Sequence, residues 1–98
     1  MSRNLIVIIS DEHQAGVMGG AGHEFIQTPH LDRLAARGTR FETAYTPSPI
    51  CVPARAAFAA GKYVHQTRHW DNASPYTGTP QGLGHQLQQA GVGVESIG

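Results

Sequence analysis

Cys51 is the only cysteine in the chain, and it stands at a proline-rich turn in "PSPICVPARAAFAAGKY" with Arg55 four residues on. The run from Pro53 to Ala60 is alanine-rich and ends at Gly61, so a helix is expected there, with Cys51 just before its first turn. A helix amino end presents unpaired N–H groups and a partial positive charge, and Arg55 adds a full one. An anion at position 51 is therefore favoured, whether an acidic, nucleophilic thiolate or a bound oxyanion. The other reading of a lone cysteine is an inert, partly buried thiol.

Two further groups could carry chemistry. Asp11 and Glu12 are adjacent carboxylates after the run "NLIVIIS", able to offer oxygen ligands to a hard cation, or else simply a solvated pair. His13 is a third group or merely loop. In "GKYVHQTRHWDN", Lys62 could bind a sulfate or phosphate oxygen, and His65 or His69, near Asp71, could serve as a general acid. The chain has six histidines, but no pair of them has the spacing of a helical metal motif. His23, His30 and His85 read as surface or hydrogen-bonding residues.

The elements that must position these groups follow from punctuation and periodicity. Asn4 to Ile9 form a continuous β-branched run, as expected of a strand buried on both faces, with the acidic pair at its carboxyl end. A glycine-rich loop follows. "TPHLDRLAARG" is predicted to be a helix capped by Thr28, with Pro29 first, Leu31, Leu34 and Ala35 as its apolar stripe, and Gly38 left-handed at its end. "TRFETAYT" reads as a second extended segment. Gly61 to Gly78 read as a long loop carrying Lys62, His65, His69, Trp70, Asp71 and Asn72. "TPQGLGHQLQQAG" is a further helix, with Leu83, Leu87 and Ala90 at helical spacing, and "VGVES" a last short strand. The order favours a layered α/β fold.

Composition sets outer bounds. The chain has 98 residues, formal net charge zero and 40% hydrophobic residues, which excludes a disordered tail and gives no charge bias toward nucleic acid. One cysteine excludes an internal disulfide framework. The apolar run after "MSRN" is short of a signal-peptide core with its cleavage site and of the ~20 residues of a membrane span, so the cytoplasm is the expected location, with no membrane partner.

The pieces together resemble one family. "CVPAR" fits the Cys-x-Pro-x-Arg core of the type I sulfatase signature, and "AAFAAG" continues it to the family's glycine. "TPHLDRLAARGTRFETAYT" is similar to the family's Thr-Pro-Asn-Leu-Asp-x-Leu-Ala-x-x-Gly-x-x-Phe segment, with His30 where Asn is usual. "IVIISDEH" resembles its first strand and acidic pair, and "GVGVESIG" the start of its second signature. "WDNAS" resembles the choline-sulfatase-like and phosphonate monoester hydrolase-like branches. Departures are Glu12 where a second Asp is common, Val52 for a small or hydroxyl residue, Ala59 for a larger apolar one, and Val94 for Ser or Thr.

The resemblance implies an α/β fold: the amino-terminal part of an alkaline-phosphatase-like mixed sheet flanked by helices. Residues 1–98 would be an incomplete segment of a sulfatase catalytic domain, stopping before the family's Lys-x-His motif. It implies that Cys51 is oxidised after synthesis to formylglycine by a formylglycine-generating enzyme, and that Arg55 steadies it. Asp11, Glu12 and residue 51 would be metal ligands, Glu12 having to bend because it is one methylene longer than Asp. The cation would be Ca²⁺, or Mg²⁺ or Mn²⁺. The hydrated aldehyde is a gem-diol: one hydroxyl attacks the sulfur of a small-molecule sulfate ester, and the other then loses its proton to release sulfate. These residues alone are expected to be inactive. Lys62 is read as structural in this frame. Two alternatives stay open: hydrolysis of phosphonate monoesters or phosphodiesters with the same nucleophile, and a non-catalytic fragment.

Overall fold

The computed structural model describes residues 4–98, so residues 1–3 of the expected 1–98 segment lie outside it. Two compact units divide the chain, one through Glu42 and the other from Thr43.

In the first unit the helix α1 spans Pro29–Arg37. Pro29 opens it at no cost, because the amide hydrogen that proline lacks would have no intrahelical partner there. Thr28 occupies the N-cap position but does not cap the helix with its side chain. Its hydroxyl donates to Asp32 Oδ1 at 2.9 Å and accepts the Gly19 N–H at 3.0 Å. Asp32 Oδ1 also accepts the Gly20 N–H at 2.9 Å. A single 3-10 turn at Gly19–Ala21 is thereby tied to the start of α1. Both glycines are required by this approach, since a Cβ at either would lie 2.9 Å from an Asp32 carboxylate oxygen. Gly38 ends α1 with extended rather than left-handed backbone (φ −138°), its N–H bonding the Ala35 carbonyl. A tight 3-10-like closure at the last turn makes the left-handed cap unnecessary. The apolar stripe of α1 stays largely open, with Leu31 and Leu34 both exposed.

In the second unit α2 spans Cys51–Ala60, beginning two residues earlier than expected. Pro53 is accommodated because it still falls in the first turn, where no helix carbonyl awaits its missing N–H. Gly61 closes the helix in left-handed backbone (φ 62°), and the Lys62 N–H returns to the Ala57 carbonyl at 3.1 Å. Pro53, Ala56, Ala57 and Ala60 are the buried face of α2. Small side chains let neighbours come close. Gly82 lies against Ala59, where an added Cβ would meet the Ala59 carbonyl oxygen at 3.2 Å.

Part of the expected long loop is helical: α3 spans Val64–Thr67 and packs on α2. The Tyr63 N–H is satisfied by Gln66 Oε1 at 2.9 Å, and Thr67 Oγ1 donates to the Val64 carbonyl at 3.2 Å. The last helix, α4, spans Leu83–Gln89 and starts after Gly82 rather than at Thr79–Pro80, whose peptide bond is cis.

The expected sheet is absent among the described residues, which contain helices and turns but no strand. Residues 4–9, 39–46 and 92–96 make no strand pairing among the described residues. A helix satisfies its backbone within its own segment, whereas a buried strand needs neighbours on both edges. With no neighbour among these residues, Leu5, Ile6 and Ile8 are 79%, 82% and 86% exposed. No helix of the described residues is long and apolar enough to cross a membrane.

Candidate functional site

Cys51 is exposed as a free thiol at the first position of α2. Arg55 is one turn further along the same helix, and residues four apart share a helix face. The nucleophile candidate and the cation expected to steady it are thus presented by one short rigid element. Arg55 is itself engaged rather than unpartnered.

The amino end of α2 is completed from a distance. Ile50 precedes it in extended conformation and brings no side-chain cap. The Ile50 N–H is accepted by Ser48 Oγ at 3.3 Å, and the Ala54 N–H by the Ile50 carbonyl at 3.0 Å. The Val52 N–H goes to Asn72 Oδ1 at 2.9 Å, twenty residues ahead in sequence. Sequence reading placed Asn72 in a polar loop but gave it no role beside Cys51. Nothing in its spacing signals the contact, because a cap supplied by a loop has no fixed offset.

Asp11 and Glu12 do not extend from the end of a strand. They form a turn in the first unit, both exposed, with Glu12 in left-handed backbone (φ 54°). A non-glycine residue there is uncommon and carries a steric penalty. Asp11 makes interactions of its own. His13 Nε2 bonds the Val17 carbonyl at 3.0 Å, a local loop contact.

Among the described residues no three His, Cys, Asp or Glu side chains converge on a point that could hold a metal ion. The carboxylates at 11 and 12 have the donor chemistry of a hard cation but not the number of oxygens it takes.

The remaining candidates take local roles. Asp71 Oδ1 accepts the Ala73 and Ser74 N–H groups at 2.9 and 3.0 Å, closing a turn. His69 is buried, 8% exposed, edge-on to Tyr76 with ring centroids 5.2 Å apart. His65 stacks on Tyr63. Lys62 lines an open groove of about 450 Å³ with Tyr45, Phe58 and Tyr63, a groove to which neither Cys51 nor Arg55 contributes. His23 Nδ1 accepts the Phe25 and Ile26 N–H groups, and His30 pairs with Arg33.

With this geometry in place, comparison with known proteins is decisive on family. The sulfatase family model matches residues 3–98. The chain belongs to the sulfatase family. Its relatives include an N-acetylglucosamine-6-O-sulfatase of Bacteroides thetaiotaomicron, 38% identical over 97% of this chain and 17% of that protein. A choline-sulfatase of Rhizobium meliloti is 38% identical over 90% of this chain and 17% of its own length. Human arylsulfatase K is 36% identical over 70% of this chain and 13% of its own. The sulfatase chain thus spans about a sixth of the first two relatives. No solved structure matches it. Sulfatase domains are of the alkaline-phosphatase-like α/β class, so the class expected from sequence holds.

Proposed function

We propose that these residues form the amino-terminal segment of a longer sulfatase catalytic domain that hydrolyses a small-molecule sulfate ester. The observation that carries the reading is Cys51, exposed on the first turn of α2 with Arg55 one turn on, inside an intact "CVPAR" core of a sulfatase-family chain. Residue 51 would act as formylglycine, made from Cys51 by a formylglycine-generating enzyme. When hydrated, that group supplies a hydroxyl nucleophile and a second hydroxyl whose deprotonation releases the product.

The chain's own residues would prepare the ground for it. The first turn of α2 directs its partial positive charge at residue 51, and Arg55 adds a fixed cation whose planar fork suits an oxyanion. Negative charge developing on the transferred group is stabilised there without solvent rearrangement. Asp11 and Glu12 would hold a divalent cation, Ca²⁺ by their all-oxygen donor type, with Mg²⁺ or Mn²⁺ as alternatives. Their two carboxylates fall short of its ~6–8 ligands, so further residues of the full-length protein would complete the site and residues 1–98 alone would be inactive. Those residues would also supply the strands that flank residues 4–9 and 92–96 in a mixed sheet. A cytoplasmic location is the companion proposal.

The test is a substrate panel on the full-length protein produced with the modifying enzyme: an aryl sulfate, choline sulfate, a phosphonate monoester and a phosphodiester. Preference for the sulfates supports the reading. Preference for the phosphorus esters moves the protein to the sister hydrolases, and turnover of none leaves the non-catalytic reading.

A further inference from the structure

One backbone N–H at the amino end of α2 is held by a side chain from elsewhere in the unit. Ile50 cannot cap it, Pro53 has no N–H, and the Ala54 N–H is already taken by the Ile50 carbonyl. The Val52 N–H, next in chain to residue 51, is accepted by Asn72 Oδ1 at 2.9 Å.

Asn72 is exposed, yet the loop that presents it is braced on both sides. Before it, α3 ends at Arg68 in left-handed backbone (φ 60°), and His69 is buried. After it, Asp71 Oδ1 collects the Ala73 and Ser74 N–H groups into a turn around Asn72. Further on, Tyr76 packs edge-on to His69, and its hydroxyl donates to the Pro80 carbonyl. A carboxamide held at both flanks keeps its acceptor in one place. Helix ends fray when their first N–H groups have no fixed partner, and residue 51 moves with that turn.

We infer that Asn72 is a positioning residue for residue 51, acting through the Val52 N–H; the inference rests on the hydrolase reading above. It touches the helix, not the reacting atoms. Misplacing a reacting group by about 1 Å can cost ~100-fold in rate, so the effect is expected in kcat rather than in KM.

The test uses the full-length protein with residue 51 modified, its modified fraction measured and rates normalised to it. In Asn72→Ala the Val52 amide should exchange its hydrogen at least about tenfold faster, and kcat should fall roughly 10- to 100-fold with KM changed only a few-fold. Asn72→Asp keeps an oxygen acceptor and should restore slow exchange at Val52. Unchanged Val52 exchange in Asn72→Ala would overturn the inference. So would faster exchange with unchanged kcat, or a loss carried by KM, which would mark direct substrate contact. If the unaltered protein turns over no ester, the hydrolase reading has failed on that control, and Val52 exchange still decides whether Asn72 holds the turn.

Discussion

The Thr28 hydroxyl donates to Asp32 Oδ1 at 2.9 Å, and the same carboxylate oxygen accepts the Gly20 N–H at 2.9 Å. Asp32 is therefore a tie between α1 and the loop before it, as well as an acid in the first turn of that helix. Removing it by Asp32→Ala should speed exchange of the Gly20 amide and cost about 1 kcal/mol, the usual worth of such bonds at a partly exposed site. Asp32→Asn retains an oxygen and should lie between. Amide exchange and urea unfolding of both variants check this. Gly20→Ala should release the same tie, because its Cβ would press on the same oxygen at 2.9 Å.

Two glycines around α2 should resist replacement for different reasons. Gly61→Ala places a side chain in left-handed backbone (φ 62°) with open space around it, so the cost is conformational, about 1 kcal/mol. Gly82→Ala keeps an allowed backbone (φ −82°) but brings its Cβ to 3.2 Å from the Ala59 carbonyl oxygen, so α4 must shift. Overpacking of this kind costs about 1 kcal/mol or somewhat more. Urea midpoints of the full-length variants should fall in both cases, and exchange at the start of α4 should change in Gly82→Ala.

Arg55 sits on the helix that presents residue 51, so its charge should matter beyond its packing. Arg55→Ala in the full-length protein is expected to lower kcat by about 100-fold or more, the scale of losing one fixed oxyanion-stabilising group. Arg55→Lys should recover only part of this, since a point charge replaces a planar fork. Steady-state kinetics on an aryl sulfate, with the modified fraction of residue 51 measured, separates the two.

If Asp11 helps to hold the cation, chelation should abolish turnover by the full-length protein and a divalent metal should restore it. Asp11→Asn should raise the metal concentration needed for half-maximal rate by at least about tenfold, the scale of perturbing a single ligand group. Glu12→Asp is expected to retain metal-dependent turnover. A metal titration of activity, with Ca²⁺, Mg²⁺ and Mn²⁺ compared, reads all three.

The helices were legible in sequence because their signals are local. Thr28-Pro29 marks the start of α1, and the alanine run closed by Gly61 marks α2. Boundaries slipped where one residue type suits several positions: Pro53 is tolerated throughout a first turn, so it did not fix the start of α2. The four-residue α3 has too few turns to show a period. The strands expected at residues 4–9 and 92–96 follow from composition, but a strand exists only with a partner, and composition does not supply one. The candidate site was legible where it is local, in Cys51 and Arg55 on one helix. It was not legible in Asn72, whose bond to Val52 depends on how a loop folds back.

The central claim is that Cys51 is kept to be converted. The most direct measurement is the mass of the peptide containing residue 51, from protein made with the formylglycine-generating enzyme present. Exchange of CH₂SH for CHO lowers the mass by about 18 Da, whereas simple sulfur oxidation raises it. A loss of that size on this peptide is the expected result. A peptide that keeps its thiol under those conditions would contradict the account.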